Sequence, residues 1–155
     1  MRKKFIEILS KKIKLNKKIF FIVGDLGYNV VEPIAKNYPQ NFLNVGVAEQ
    51  NMAGLAAGIA SEGYHVLVYS IANFPTFRCA EQIRNDIDYH NSNVTIVAVG
   101  AGLSYGHQGY SHHALQDYSL MRSFPNMEII SPGDNFELRK CMEYCFKNPT
   151  FRIPF

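Results

Sequence analysis

Short apolar runs alternate along most of the chain with stretches of helical periodicity. The runs show no polar alternation, which is typical of strands covered on both faces. They predict strands at residues 18–24, 42–46, 65–70, 94–99 and 127–131, with a sixth at 151–153. The stretches between them predict helices at residues 30–37, 47–62, 73–89, 112–123 and 134–146. This order predicts an α/β fold, a mostly parallel sheet with helices on both faces.

The first 17 residues predict an amphipathic helix ahead of a single domain at residues 18–155. The apolar residues of this segment recur at roughly helical spacing. They are Phe5, Ile6, Leu9, Ile13 and Leu15. The lysines between them are interpreted as the solvated face of the helix, with a membrane-surface or RNA-binding role as the alternative.

The composition limits the classes of function open to the chain. Its 155 residues suit one domain, and a hydrophobic content of 47% excludes intrinsic disorder. Charged residues make up 19%, below the soluble average of roughly 25%, which leaves surface for a partner protein. The net charge of +3 is too small to favour a nucleic-acid partner. No signal peptide or membrane-spanning run is visible, so we expect no membrane association and a cytoplasmic location.

The spacing of cysteines and histidines does not favour a metal site. Cys79, Cys141 and Cys145 are odd in number and lack a CxxC pair, so we expect buried thiols rather than disulfides or ligands. Three histidines lie close together, at His107, His112 and His113. We expect them to form hydrogen bonds or transfer protons, with plain surface histidines as the alternative.

A glycine-rich loop at residues 100–109, with the sequence GAGLSYGHQG, follows a predicted strand. In open parallel sheets, ligand sites lie beyond the carboxyl ends of the strands. The glycine spacing is GxGxxxG rather than the dinucleotide pattern GxGxxG, and the sequence has no GKS or GKT, so no nucleotide-binding loop is expected. The loop is predicted to be a flexible or tightly turned part of a site.

Glu49 lies in the first turn of a predicted helix that is otherwise almost free of charge. An acid at this position can simply complement the helix dipole. However, small residues follow at positions 53, 54, 56, 57, 58 and 60, which predicts close packing and a buried Glu49. Buried carboxylates have a raised pKa and mark functional sites. Phe74 and Phe77 follow a strand end, where stacking on a flat ligand and core packing are both open.

Four segments of the sequence together resemble the pyrimidine-binding domain of the transketolase family. They are FIVGDLGYN, FLNVGVAEQNMAGLAAGIASEGYHVLV, IANFPTFRCAEQIRNDI and GAGLSYGHQGYSHHALQDYSLMRSFPNMEIISPGD, and they cover roughly residues 18–153. The chain most resembles the C-terminal subunit of two-part transketolases without its last domain, and it also resembles the middle domain of deoxyxylulose-phosphate synthases. The resemblance implies a thiamine diphosphate-binding fold and a transferase that moves a two-carbon ketol unit between sugars.

The resemblance implies cofactor-binding roles for several residues. Glu49 matches the catalytic glutamate that hydrogen-bonds the N1′ atom of the aminopyrimidine of thiamine diphosphate. Phe74 matches the aromatic residue that stacks on this ring. Further cofactor-binding positions are implied at Phe77, Ile71, Asp25 and Leu26.

The resemblance also implies that the glycine-rich loop and the residues after it contact the sugar substrate. His112 matches the histidine of the family's DGxTH loop, a catalytic and substrate-binding position, and His107 and Gln108 accompany it. Gln108 stands where the family has an acid, and Gly100 stands where true transketolases commonly have a histidine. The loss of the acid favours a modified sugar or sugar phosphate over the ordinary ketose donor.

A partner chain is implied as well, because family enzymes bind the diphosphate through Mg²⁺ on a separate pyrophosphate-binding domain. Gly24, Asp25 and Asn51 imitate the GDG motif of that domain, but Leu26 replaces its second glycine, so we interpret the imitation as coincidence. The family's third domain is also missing from a sequence that ends at Phe155. We expect half an active site and no metal ligand here, completed by a pyrophosphate-binding subunit in a hetero-oligomer or homodimer.

Two other functions stay open at this point. One is a carboligase subunit similar to deoxyxylulose-phosphate synthase, which would join a decarboxylated ketoacid to an aldehyde. The other is a non-catalytic oligomerisation or regulatory module. The presence of both Glu49 and Phe74 argues against this second alternative.

Overall fold

A four-stranded sheet forms the centre of the molecule in a computed structural model that describes residues 1–148. The strands are β1 (Ile19–Val23), β2 (Phe42–Asn44), β3 (His65–Ile71) and β4 (Val94–Val99). Their order is β2-β1-β3-β4, and every neighbouring pair is parallel. The predicted α/β class is therefore confirmed. The strand order reverses between β1 and β3, and a ligand crevice is expected at the carboxyl ends of these two strands.

Helices cover both faces of the sheet. They are α1 (Arg2–Leu15), α2 (Glu32–Asn37), α3 (Glu49–Ser61), α4 (Ala80–Gln82), α5 (Asp117–Met121) and α6 (Asn135–Lys147). Side chains of α1, α2 and α6 join one core cluster, and side chains of α3 and α5 join the cluster on the other face. This double coverage explains the unbroken apolar runs of the strands. None of the helices between residues 1 and 148 is long and apolar enough to cross a membrane.

The predicted helix at residues 73–89 is present but irregular. Helix α4 is its regular middle turn, and π-helical turns flank it at Phe74–Arg78 and Ile83–Asp88. Pro75 has no N–H to donate within the helix. The Thr76 hydroxyl donates a 2.6 Å hydrogen bond to the carbonyl of Ala72, which engages the backbone at the same place. We refer below to residues 74–88 as the irregular helix.

Helix α1 buries the apolar stripe predicted from its sequence, with one exception. Its buried residues are Phe5, Ile6, Leu9 and Ile13. Leu15 is 84% exposed, contrary to expectation, because two helical steps rotate it about 200° away from Ile13. Lys4 and Lys11 each donate a 2.9 Å hydrogen bond to the exposed Glu7 carboxylate. The lysines thus lie on the solvated face, as interpreted from the sequence.

Strand β2 ends at Asn44, two residues earlier than predicted, because the Asn44 side chain caps the following turn. Its Oδ1 accepts hydrogen bonds from the N–H groups of Gly46 (3.0 Å) and Asp25 (3.1 Å). Gly46 has a φ of +73°, in the left-handed region that glycine adopts without strain. The turn leads the chain directly into α3, whose first residue is Glu49.

Two predictions for the chain after β4 are wrong. Ala114 pairs with Gly102 in an antiparallel bridge, so the predicted helix at residues 112–123 shrinks to α5. The predicted strand at residues 127–131 is not found in the described chain. Met127 and Ile129 pack against the core cluster that includes side chains of α3, but no strand pairing is present there. Apolar spacing reports burial rather than the presence of a pairing strand. The predicted strand at 151–153 lies outside the described residues.

The cysteines follow the sequence interpretation except at one position. All three are free thiols, and Cys79 and Cys145 are buried, whereas Cys141 is partly exposed. Burial raises the pKa of Cys145 to about 12, so this thiol stays protonated at neutral pH. Cys145 donates a hydrogen bond from Sγ to the carbonyl of Cys141, since the two residues lie one turn apart on α6.

His65 is expected to make the folded state less stable as the pH falls from about 6.5 to about 4. Its buried ring contacts Phe146, and its Nε2 lies 2.7 Å from Thr95 Oγ1. Burial lowers the pKa of His65 from 6.5 to about 4. Above pH 6.5 the ring is neutral in both states, but below it the unfolded chain takes up a proton more readily than the folded chain. The loss reaches about 3 kcal/mol near pH 4.

Urea unfolding at a series of pH values measures this dependence. His65→Gln can keep the hydrogen bond to Thr95 but does not titrate, so the variant should show a flatter pH dependence than the wild type. The matched control is His90→Gln, which removes an exposed histidine and should leave the dependence unchanged. The same pH dependence in His65→Gln as in the wild type would contradict the role of His65.

Candidate functional site

Glu49 is a buried carboxylate at the carboxyl ends of β1 and β3. It begins α3, and only 1% of its surface is exposed. The Ser70 hydroxyl, near the end of β3, donates a 3.2 Å hydrogen bond to Oε1 of Glu49. Gly24 follows β1, and a Cβ at this position would lie 3.3 Å from Ser70 Oγ and 3.4 Å from Glu49 Oε1. The predicted burial of Glu49 is confirmed, and the carboxylate lies at the crevice expected from the strand order.

Arg78 forms an ion pair with the other carboxylate oxygen of Glu49. Its Nη1 donates a 2.6 Å hydrogen bond to Oε2, and the arginine side chain is 42% exposed. The guanidinium carbon also lies 4.6 Å from the centroid of the Phe74 ring. Oε2 is therefore the oxygen that faces the space beside Phe74, whereas Ser70 fixes Oε1.

Cys79 is an uncharged, buried thiol close to this carboxylate. Burial, followed by the negative charge of Glu49, raises the pKa of the thiol to about 12. Cys79 is 1% exposed, and its Sγ lies 3.7 Å from the carbonyl oxygen of Phe74. A protonated thiol adds no second negative charge beside Glu49, which leaves the carboxylate as the acidic group of the site.

Phe74 connects Glu49 to the predicted substrate loop. Its ring meets the ring of His112 edge-on, with centroids 5.1 Å apart. Asn73 Nδ2 donates a 2.7 Å hydrogen bond to the carbonyl of Ser111, and Ser111 Oγ lies 3.0 Å from His112 Nδ1. Three residues predicted from distant parts of the sequence, Glu49, Phe74 and His112, are thus joined through Arg78 into one continuous site.

The other predicted site residues are not joined to Glu49 or Phe74 by the contacts of the described chain. Ile71 follows Ser70 in β3, so strand alternation directs its side chain to the opposite face of the sheet. Phe77 is 41% exposed and lines a shallow groove with Tyr110 and Gln116. The remaining positions are Asp25, Leu26, His107 and Gln108.

These remaining residues lie in two surface loops. Asp25 has a φ of +52° and accepts hydrogen bonds at Oδ1 from Asn44 (3.1 Å) and Tyr28 (3.3 Å). Leu26 packs against the core cluster formed with side chains of α1, α2 and α6. His107 and Gln108 are exposed in a short 3₁₀ turn at Gly106–Gln108. Their placement leaves them available to a ligand or partner.

The histidines of this loop act within its hydrogen-bond network. His113 Nε2 lies 3.1 Å from the carbonyl oxygen of Gly106, and His112 lies beside Ser111. Two of the three histidines singled out from the sequence thus lie within hydrogen-bond distance of other atoms of the loop. Within residues 1–148, no three side chains among His, Cys, Asp and Glu gather into a group that could hold a metal ion.

Gly100→Ala is expected to destabilise the chain by about 1–3 kcal/mol, because a side chain at this position strains the backbone and displaces the Tyr105 ring. Gly100 has a φ of +82°, and a Cβ there would overlap Cε2 of the Tyr105 ring. Gly106→Ala is the matched control, since a Cβ at this position meets nothing within 4 Å. Urea unfolding of both variants provides the comparison. Equal losses would show that Tyr105 does not constrain position 100.

Three residues of the site, Gly24, Ser70 and Arg78, are absent from the sequence-based predictions. A signal for Arg78 exists, since it stands four residues after Phe74 in a predicted helix and hence on the same face. Ser70 ends a predicted strand that otherwise is apolar from Val66 onwards except for Tyr69. Neither signal identifies Glu49 as the partner, because that contact depends on how α3 packs against β3.

Comparisons with known protein families identify a single matching domain type. The family model described as the transketolase pyrimidine-binding domain matches residues 1–153. A putative transketolase C-terminal section from Methanocaldococcus jannaschii is 39% identical over 160 residues, covering 99% of this chain and 50% of the relative. One of the subunits of an apulose-4-phosphate transketolase from Phocaeicola vulgatus is 35% identical over 149 residues, covering 96% of this chain and 48% of the relative.

The similar proteins also include a synthase and a solved structure. A 1-deoxy-D-xylulose-5-phosphate synthase from Pelotomaculum thermopropionicum is 38% identical over 117 residues, covering 74% of this chain and 18% of the synthase. The structure of a split gene transketolase, described as an inactive β4 tetramer, matches with a TM-score of 0.87 and 33% identity. It covers 99% of this chain and 49% of that chain. The chain thus spans about half the length of the transketolase subunits that it matches.

Proposed function

The chain belongs to the transketolase family as a pyrimidine-binding domain, and from this premise we propose that it is one subunit of a thiamine diphosphate-dependent transferase. The subunit would bind the aminopyrimidine half of the cofactor and help to transfer a two-carbon ketol unit between sugars. The observation that carries the proposal is the buried Glu49 carboxylate, whose Oε2 faces the space beside the Phe74 ring.

The residues of this space suit an aminopyrimidine ring. The contacts of Arg78 show that a flat group with N–H donors at its edge can lie beside Phe74 and reach Oε2 of Glu49. An aminopyrimidine has the same shape and can present a hydrogen-bond donor at N1′. Phe74 would hold the ring by stacking. When bound, thiamine diphosphate supplies the reactive carbon that accepts the ketol unit.

In this proposal Glu49 holds a proton at the N1′ side of the ring. Burial keeps water from the carboxylate, and the hydrogen bond from Ser70 fixes Oε1, so proton exchange is confined to Oε2. A carboxylate that shares a proton with a ring nitrogen over a short hydrogen bond is suited to acid–base catalysis. Phe77, Ile71, Asp25 and Leu26 stay predicted cofactor contacts.

His112 is proposed to contact the sugar donor. Its ring lies at the edge of Phe74, and Ser111 lies within 3.0 Å of Nδ1, which leaves Nε2 for a substrate oxygen. His107 and Gln108 are exposed on the same loop and are proposed as further substrate contacts. Because Gln108 is neutral where the family has an acid, we favour a modified sugar or sugar phosphate as the donor.

The proposed partner is a chain with a pyrophosphate-binding domain, where Mg²⁺ and the diphosphate would be held. Two observations support this. The relatives that it matches include a transketolase C-terminal section, a subunit of an apulose-4-phosphate transketolase and a split gene transketolase, and these names imply a second chain. Two apolar side chains close in sequence to Glu49 and Asp25 are exposed, Val47 to 70% just before α3 and Tyr28 to 72%. Contact with another protein would remove this apolar surface from water.

Reconstitution tests the proposal. A mixture of this chain, a pyrophosphate-binding transketolase subunit, thiamine diphosphate and Mg²⁺ should transfer a ketol unit from a ketose phosphate to an aldose phosphate, and neither chain alone should do so. Release of CO₂ from a ketoacid with formation of a deoxyketose would favour the synthase alternative, which the synthase relative supports. If neither product forms, the result favours a non-catalytic module.

A further inference from the structure

The flat guanidinium group of Arg78 occupies the space in which the proposed function places the aminopyrimidine ring. Its Nη1 donates a 2.6 Å hydrogen bond to Glu49 Oε2. Its central carbon lies 4.6 Å from the centroid of the Phe74 ring. The two contacts expected of the aminopyrimidine, one to Glu49 and one to Phe74, are thus both made by a side chain of the same protein.

The chemistry of the two groups is alike. A guanidinium group is planar and delocalised, carries N–H donors along its edge and stacks on aromatic faces. An aminopyrimidine is also planar, and it offers a donor at its edge when N1′ carries a proton. A pocket made of a carboxylate and an aromatic face therefore recognises both. Only one of them can bond to Oε2 and cover the same face of Phe74 at a time.

The hydrogen bonds of Glu49 restrict where the ring can lie. Ser70 holds Oε1 of Glu49, and Gly24 packs beside this oxygen, so Oε2 is the oxygen left for a ligand. The guanidinium group of Arg78 now bonds to Oε2 and lies by the Phe74 ring. A ring that makes the same two contacts therefore overlaps the place of the guanidinium group.

We propose that Arg78 is an internal competitor of the cofactor, which must release Glu49 before the aminopyrimidine can bind. The inference rests on the proposed function, because it concerns the same site. Arg78 is the partner that can move, since 42% of its side chain already faces solvent, whereas Glu49 is 1% exposed and stays in place. While Arg78 is bound, it neutralises a buried carboxylate that would be costly to leave unpaired.

Because of this competition, the apparent affinity for the cofactor equals the affinity of the open site multiplied by the fraction of molecules in which Arg78 has released Glu49. An enzyme assembled from two chains gains a safeguard from this arrangement. The arginine weakens the binding of other flat amines to the pyrimidine half of the site, whereas a complete cofactor held by both chains has enough binding energy to displace it.

The test measures binding of 4-amino-2-methylpyrimidine to the full chain by ligand-observed NMR titration. This probe carries the ring but not the diphosphate, so no partner chain is required. Arg78→Met keeps the apolar stem and removes the donors, and it should bind the probe about tenfold more tightly than the wild type. Arg84→Met is the matched control, because Arg84 is an exposed arginine of the same irregular helix that bonds to Asn85. Its affinity should equal that of the wild type.

Two further measurements sharpen the result. Methylguanidinium should compete with the probe in Arg78→Met, because it can refill the vacated space, and should have little effect on the wild type. Adding Glu49→Gln to Arg78→Met should remove the gain in affinity. If Arg78→Met folds poorly, Arg78→Ala serves instead, since it removes the guanidinium group from Phe74 and Glu49 and adds no donor.

The outcomes separate this inference from the proposed function. If Arg78→Met binds the probe no better than the wild type, while Glu49→Gln still weakens binding, the competitor role is overturned and the pyrimidine site stands. If binding does not depend on Glu49 in any variant, the pyrimidine site itself is wrong, and the inference falls with it.

Discussion

Glu49→Gln is expected to reduce ketol transfer by the reconstituted enzyme at least about 100-fold, the range in which a lost acid–base group usually lies. Glutamine keeps the size of the side chain and can still accept a hydrogen bond from Ser70 at Oε1. It cannot exchange a proton with a ring nitrogen at the position of Oε2. The loss should therefore appear in kcat, whereas folding and subunit assembly should be preserved.

The matched control is Glu62→Gln, an exposed glutamate just beyond the other end of the same helix. It changes the net charge by the same amount and should retain the activity of the wild type. Steady-state kinetics with saturating thiamine diphosphate and Mg²⁺ provide the comparison. Full activity of Glu49→Gln would exclude the acid–base role given to this residue.

Phe74→Leu is expected to weaken the binding of thiamine diphosphate by roughly 5- to 100-fold, because stacking of a flat base on an aromatic side chain contributes about 1–3 kcal/mol. Leucine keeps the site apolar but removes the flat face on which Arg78 now lies. The effect should appear in the cofactor concentration needed for half-maximal activity, with a smaller change in kcat at saturation.

Phe136→Leu is the control for this prediction, since Phe136 is 68% exposed on α6 and its ring lies beneath Lys140. Its cofactor requirement should match that of the wild type. Phe77→Leu adds a useful contrast, because the sequence predicts Phe77 in the cofactor pocket whereas the structure has it 41% exposed in a groove with Tyr110. An unchanged cofactor requirement in Phe74→Leu would exclude stacking on this ring.

The strands and the burial of Glu49 were predictable because both depend on local patterns. An apolar run between turn residues indicates a strand, and a lone acid among small residues indicates a buried carboxylate. The segment at residues 127–131 shows where this reasoning fails. Met127 and Ile129 have the spacing of a strand, but within residues 1–148 their backbone pairs with no strand, and pairing is decided by distant parts of the chain.

The site was predictable residue by residue but not as a set of contacts. Glu49, Phe74 and His112 could be singled out from the sequence, yet the 2.6 Å ion pair to Arg78 could not. Arg78 makes that contact from the end of the π-helical turn Phe74–Arg78. Helical periodicity alone does not reveal such a local departure from the α-helix.

The close contact between Gly100 and Tyr105 also restricts how this loop can change over evolutionary time. Because the Tyr105 ring fills the space that a side chain at position 100 would need, a mutation of Gly100 is less costly once the tyrosine has been replaced by a small residue. The order in which the two positions change therefore affects the stability of the intermediate sequence. A histidine introduced at position 100 together with Tyr105→Gly should fold better than the same histidine introduced alone.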